Sequence, residues 1–411
     1  MTLDLDFIRA QYPVFSNPTT ARWAMFENAG GSYVPAQVTD RLHDFFRFTK
    51  VQPYGPFEAS IEAGDAMDEG YQVLAGLLNC HVDEMTMGPS TSMNTYVLAQ
   101  SVRPTLQPGD EIVVTNQDHE ANIGCWRRLV ETGAVIREWR IDPRTGELSL
   151  KDLEALLSDR TRLVCFTLCS NIVGTVNDFH AISKMAHDAG ALVIGDGVSY
   201  APHQVLDVHS SGLDIYLFST YKTFGPHLGI MWINPSALER LEPQGHYFNR
   251  EIPHYNFNPA GPLHAEVAAT AGIGTYIDGI YDHHFNEKEP DFHTRAKSVF
   301  ALFHTHETAQ ANRILNAIKR IKGSRIVGRH RAEEGRRAAT ISFTIEGMSS
   351  TEAATKLAQK EVAVRNGDFY AVRCLEGLGI KNVEDGIIRI SLVHYNSEQD
   401  VDRLVKTLGE L

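Results

Sequence analysis

The chain has 411 residues, 43% hydrophobic and 22% charged, the balance of an ordinary soluble globular protein with length for two or three domains. Its formal charge is −13, and no Lys/Arg run exceeds Arg127-Arg128 or Arg336-Arg337, which argues against a nucleic-acid partner. No window approaches roughly eighteen consecutive apolar residues, so no membrane partner is expected, and the acidic start Met1-Thr2-Leu3-Asp4-Leu5-Asp6 lacks the features of a signal peptide. Five irregularly spaced cysteines (Cys80, Cys125, Cys165, Cys169 and Cys374) fit a reducing cytoplasm better than a disulfide framework.

Residues 1–20 read as a lead-in broken by Pro13 and Asn17-Pro18. From about residue 60 to 235, short apolar runs predict buried strands: Ile112–Thr115, Leu163–Leu168, Leu192–Gly195, Ile215–Phe218 and Ile230–Ile233. Between them lie segments of helical period, such as Phe179–Gly190, where Phe179, Ile182, Met185, Ala186 and Ala189 share a face. That alternation predicts an α/β fold with a large, mostly parallel sheet covered on both faces. Further on, a helical stretch from Tyr276 to Lys322 is broken at Glu289-Pro290. Strand Ala339–Ile345, a helix from Thr351 to Gln359, strand Ile387–Leu392 and a final helix capped by Ser397 complete a smaller α+β domain. The expected division is a lead-in over 1–20 that packs with the small domain, a large domain over 21–275 and a small domain over 276–411.

Several strand ends carry reactive side chains. Ile215–Phe218 leads into Ser219-Thr220-Tyr221-Lys222, and open α/β sheets place ligands at such carboxyl ends. An amine there could form a Schiff base, with Ser219 and Tyr221 donating to a phosphate; a plain surface lysine is the alternative. Leu192–Gly195 ends in Asp196, which could pair with a protonated ring nitrogen or merely cap a turn. Ser90-Thr91-Ser92 opens an apolar helical run, which makes an anion site or a simple cap. His119 follows strand Ile112–Thr115 and could stack on a flat ring or move protons. Asn171 follows strand Leu163–Leu168 and could reach a phenolic oxygen. Cys165 and Cys169 are expected to share one buried face, and no Cys/His pair has metal-ligand spacing, so no metal is expected.

Taken in this order, these sites resemble the fold-type I pyridoxal 5'-phosphate (PLP) enzymes of the class V aminotransferase group, above all its cysteine desulfurase-like members. The resemblance runs through Phe26-Glu27-Asn28-Ala29-Gly30-Gly31, Asp118-His119-Glu120-Ala121-Asn122, Ser170-Asn171, Asp196-Gly197, Ser219-Thr220-Tyr221-Lys222 and Arg389–Asn396. It implies that Lys222 holds PLP and shuttles protons, that Asp196 pairs with the pyridine nitrogen, that His119 stacks on the ring and that Asn171 approaches its hydroxyl. Thr91, Ser92, Ser219 and Tyr221 bind the phosphate, with Tyr221 standing where many relatives carry histidine, and Ser90 joins the cofactor-binding residues. Arg389, with Asn28 and Arg365, forms the expected substrate-binding set. A homodimer with sites at its interface is implied as well, the segment from Tyr255 to His264 supplying the contact.

Three departures from the family stand out. Ser199, grouped with the cofactor-binding residues, replaces a glutamine near the ring. Pro262 replaces the threonine donated across the dimer. In Arg365-Asn366-Gly367-Asp368-Phe369-Tyr370, Tyr370 occupies the place of the persulfide-forming cysteine, and Cys374 lies four residues later. The expected function is therefore a PLP enzyme that takes an α-proton from a small amino acid. Desulfurase-like C–S or β-elimination without the usual cysteine comes first, an aminotransferase or epimerase second, and a PLP-binding interaction protein is the non-enzymatic alternative.

Overall fold

The computed structural model describes residues 2–250, 252–259 and 261–411. Its strands, in chain order, are β1 (Ala24–Met25), β2 (Met85–Gly88), β3 (Glu111–Thr115), β4 (Val135–Trp139), β5 (Thr161–Thr167), β6 (Leu192–Asp196), β7 (Ile215–Ser219) and β8 (Gly229–Ile233). They continue as β9 (Ser324–Val327), β10 (Thr340–Ile345), β11 (Val362–Ala363), β12 (Arg365–Gly367) and β13 (Ile387–Ser391). The large sheet has seven strands in the order β2-β8-β7-β6-β5-β3-β4. Strands β7, β6, β5, β3 and β4 are parallel neighbours, while β8 is antiparallel to both β7 and β2. Six strands thus run one way and β8 runs against them.

Every residue of β3, β6, β7 and β8 is buried, as a sheet covered on both faces requires. The period of two sorts their side chains into two cores. Val113, Val164, Phe166, Val193, Tyr216, Phe218, Ile230 and Trp232 join the main core. Their neighbours Ile112, Val114, Leu163, Cys165, Ile194, Ile215, Leu217 and Met231 form a separate core on the other face. Cys165 and Cys169 therefore do not share a face as the sequence suggested. Strand β5 ends at Thr167, and Cys169, beyond the strand, packs in the main core.

A four-stranded antiparallel sheet, β12-β13-β10-β9, forms the smaller unit. Helices Ser350–Ala358 and Glu398–Leu408 pack on it, the latter opened by a capping box between Ser397 and Asp400. The cores do not divide at residues 21 and 275. Ala24 and Phe26 pack with the small sheet, β1 pairing with β11, whereas Ile277, Ile280 and Tyr281 pack in the main core. Helix Phe292–Ile318 serves both, with Ala296–Phe303 in one core and Ala311–Ile318 in the other. The lead-in is tied down by Arg9, which pairs with Asp400 at 2.9 Å, and by the Tyr12 hydroxyl, 3.0 Å from that of Tyr276. Among the described residues no helix is long and apolar enough to cross a membrane.

The strand order decides where chemistry can gather. The carboxyl ends of β5, β6 and β7 (Thr167, Asp196 and Ser219) lie along one edge. Gly88 and Ser219 both face Gly229, so the helix that follows β2 begins beside the end of β7. A Cβ at Gly229 would overlap the Ser90 backbone, so glycine permits this close approach.

Candidate active site

Lys222 ends a short 3-10 turn, Thr220–Lys222, directly after β7. The turn is closed by the Thr220 hydroxyl, which donates to the Pro226 carbonyl at 2.5 Å. Phe224 follows in the left-handed region (φ 64°), its N–H donating to Ser32 Oγ at 3.1 Å and its ring buried edge-on against His394. A non-glycine residue persists there because the surrounding packing holds it. Burial, reinforced by repulsion from Arg389, lowers the Lys222 pKa to about 8, while Asp196 and Glu27 pull the other way. Asp196 accepts a hydrogen bond from the Val198 N–H at 2.8 Å, and burial pushes its pKa up to about 6 against the pull of Lys222.

These two groups line a cavity of about 290 Å³. Ser90, Thr91, Ser92, His119, Asn171, Ser199, Ser219 and Tyr221 line the same space, so all ten residues expected to hold the cofactor meet there. At one end, helix Thr91–Val102 starts with Ser90 as its cap, whose side chain accepts from the Met93 N–H. The Thr91 hydroxyl donates to the Phe218 carbonyl at 2.9 Å and lies 2.7 Å from Ser219 Oγ. His119 is nearly buried. Burial, then Lys222 and Arg389, bring its pKa down to about 3, so its ring is neutral at pH 7. Its Nδ1 accepts from the Ala121 N–H at 3.1 Å, which leaves the ring proton on Nε2. Asn171 Nδ2 donates to the Phe369 carbonyl at 3.0 Å, and its buried Oδ1 has no hydrogen-bond partner among the described residues.

A second space of about 840 Å³ opens beside the first, with His119, Asn171, Tyr221 and Lys222 in the walls of both. Arg389, on β13, is buried in its wall. Its Nη1 donates to the Asn171 carbonyl at 3.3 Å, its Nη2 lies 3.3 Å from Glu27 Oε1, and its guanidinium carbon sits 3.7 Å over the Phe369 ring. Burial lowers its pKa to about 10 despite Glu27. Arg365 shares this space and approaches Glu27 at 3.8 Å. Asn28 does not line either space. Its Nδ2 donates to the Ser391 carbonyl at 2.9 Å and to Asn396 Oδ1, and its Oδ1 accepts from the Tyr395 hydroxyl. Asn28 thus stitches the turn after β1 to the end of β13, with its side chain engaged there and not in either space, a correction to the expected substrate-binding set.

None of the five cysteines lines either space. Cys374 is 0% exposed in helix Val372–Gly377, and burial pushes its thiol up to about 12. Tyr370 stands at the rim, 74% exposed, with its ring centroid 5.3 Å from that of His119. Phe369 and Tyr370 are both left-handed (φ 53° and 57°). Their turn is held by the Glu120 N–H, donating to the Tyr370 carbonyl at 2.7 Å, and by Asn171 below. Sequence reasoning missed Glu27, Phe369 and His227. Glu27 and Phe369 sat inside motifs already singled out, but their role depends on Arg389, distant in the chain.

A family model described as Aminotransferase class-V matches residues 24–273 and 293–404. The chain belongs to the class V aminotransferase family. The aminotransferase-like protein FGM3 of Gibberella zeae is 32% identical, over 99% of this chain and 98% of that protein. The cysteine desulfurase-like protein ustD of Aspergillus flavus is 28% identical, over 100% and 91%. The fold is that of the cysteine desulfurase CsdA of Escherichia coli, with a TM-score of 0.84 at 22% identity, covering 100% of this chain and 98% of that one. The chain is thus a PLP-dependent enzyme of class V, similar in sequence and fold to cysteine desulfurase-like proteins. The residues present fit the cofactor. A buried lysine of lowered pKa, a buried carboxylate, a neutral imidazole, an orphaned amide oxygen and a helix start line one cavity.

Proposed function

We propose that the chain is a PLP-dependent lyase that removes an α-proton from a small amino acid and expels its β-substituent, sulfur first among them, directly into solvent. The observation that carries this reading is the pairing of Tyr370 at the rim with a buried Cys374. A persulfide needs an accessible thiolate, and Tyr370 cannot accept sulfur.

Bound PLP supplies an electron sink for the pair of electrons left at Cα. The chain does the rest. Arg389 offers its planar fork to the α-carboxylate, which fixes the substrate beside Lys222. Lys222 Nζ, with its lowered pKa, is the base that takes the α-proton and can return it to a leaving group. Asp196 lends negative charge where a protonated ring nitrogen is needed, and neutral His119 adds a flat face without a competing charge. The 840 Å³ outer space leaves room for the side chain to depart. The product is an enamine that hydrolyses to a keto acid and ammonia.

Two copies of the chain are part of this reading. Phe46, Phe48, Tyr54 and Phe57 are each more than half exposed, an aromatic surface that a homodimer would cover. Within the segment from Tyr255 to His264, Ala260 lies outside the described residues.

The test is a scan of amino acids with sulfide, pyruvate and other keto acids, and ammonia assayed as products. Sulfide or thiol with keto acid and ammonia, without added acceptor, is the expected result. Turnover only with a keto-acid acceptor would establish the aminotransferase instead, the reading that the name of the Gibberella relative favours.

A further inference from the structure

Among the described residues that line the cavity expected to hold PLP, there is no arginine and only one lysine to meet the phosphate. The Thr91 hydroxyl is spent on the Phe218 carbonyl, so the 2.7 Å contact with Ser219 uses the serine proton on Thr91. Ser90 offers only a hydroxyl, and the first amides of the helix are neutral donors. Among the described residues, three side chains of this cavity can carry positive charge: Lys222, His119 and His227. Lys222 is committed to the aldehyde carbon, and His119 is held neutral with its Nδ1 engaged.

We propose that His227 is the charged phosphate-binding residue of this enzyme, taking over from the histidine that Tyr221 replaces. The inference rests on PLP being the cofactor. His227 lies beyond the Gly225-Pro226 turn, and its ring stacks on that of Tyr221, centroids 4.6 Å apart and planes within 5°. Its Nδ1 lies 3.2 Å from the Pro89 carbonyl, which can only accept, so Nδ1 carries a proton. That bond fixes the ring one residue before the helix cap Ser90 and leaves Nε2 as the site of the second proton. A phosphate monoester carries a charge of about −1.5 to −2 at pH 7 and presents acceptor oxygens to such a donor. The imidazolium then gives a charge-assisted hydrogen bond from Nε2, and the face of Tyr221 stabilises the cation. Tyr221 is therefore the platform on which a displaced imidazole is presented.

The test uses the full-length chain freed of cofactor and titrated separately with PLP and with pyridoxal, which lacks the phosphate. Binding is read from the absorbance band of the lysine-bound aldehyde, not from activity. His227→Gln is expected to weaken PLP by about tenfold or more while leaving pyridoxal within about twofold. His227→Arg, which keeps a cation, is expected to retain most of the preference for PLP. His227→Asn serves the same comparison if the glutamine variant does not fold. An unchanged preference in His227→Gln, or equal weakening of both aldehydes, would overturn the proposal. Failure of both aldehydes to give the band in the unsubstituted chain would instead refute the assignment of Lys222.

Discussion

The guanidinium of Arg389 lies 3.7 Å over the ring of Phe369, whose own carbonyl is held by the side chain of Asn171. If Arg389 binds the substrate carboxylate as proposed, the Phe369–Tyr370 turn shapes that site. Phe369→Leu removes the aromatic face and keeps the bulk. A loss of about 1 kcal/mol, roughly fivefold in kcat/KM, is expected, carried by KM for amino acids. Arg389→Lys keeps charge without the fork and is expected to raise KM more, with little change for amines lacking a carboxylate. Steady-state kinetics on both substrate types checks this, and equal effects on the two would make Arg389 structural.

The lysine titrates within reach of ordinary buffers. A folded-state pKa of about 8 means that the cofactor-free chain gains neutral, nucleophilic amine as pH rises through 8. The rate of PLP capture is expected to climb over that window. Arg389→Gln removes a positive neighbour, so the Lys222 pKa rises and the midpoint moves to higher pH. Asp196→Asn removes a negative one, so the midpoint moves lower. Stopped-flow capture rates against pH read both signs, and shifts in the same direction would contradict the assigned electrostatics.

Much of this site was legible in the sequence because strand-end chemistry follows from strand prediction. The runs ending near Thr167, Asp196 and Ser219 were found by their apolar, β-branched composition, and the parallel sheet brings their ends together. Strand β2, Met-Thr-Met-Gly, is too short for periodicity to reveal, and β4 is an edge strand whose Arg137 and Glu138 pair with Glu111 and Arg127. Asn28 was misplaced because its motif is local while its partners, Ser391, Tyr395 and Asn396, are more than 360 residues away. His227 escaped notice because only the folded turn stacks it on Tyr221.

Cys374 has no access to the site. Cys374→Ala is expected to retain most turnover and to lose about 1 kcal/mol of stability, because it empties part of a packed cluster with Leu375 and Leu378. Turnover and thermal unfolding check the two halves. A substrate-derived persulfide on Cys374, found by mass spectrometry, with activity lost in the variant, would restore the desulfurase route.

The aromatic surface gives a test of assembly. Replacing Phe46 and Phe48 with Ser is expected to shift the chain from dimer to monomer in light scattering, with weaker retention of PLP. Helix Thr91–Val102, which starts at the cofactor cavity, carries exposed Met93 and Tyr96 of its own. A chain that is monomeric without substitution and fully active would contradict the dimer.

The central claim is that Lys222, buried at the end of β7, carries the cofactor. Borohydride reduction of the PLP-loaded chain followed by peptide mapping tests it most directly. The account predicts a single pyridoxyl group on the peptide containing Lys222 and none in Lys222→Ala, which should fold but lose nearly all turnover. Trapping on any other lysine, or undiminished trapping in Lys222→Ala, would contradict it.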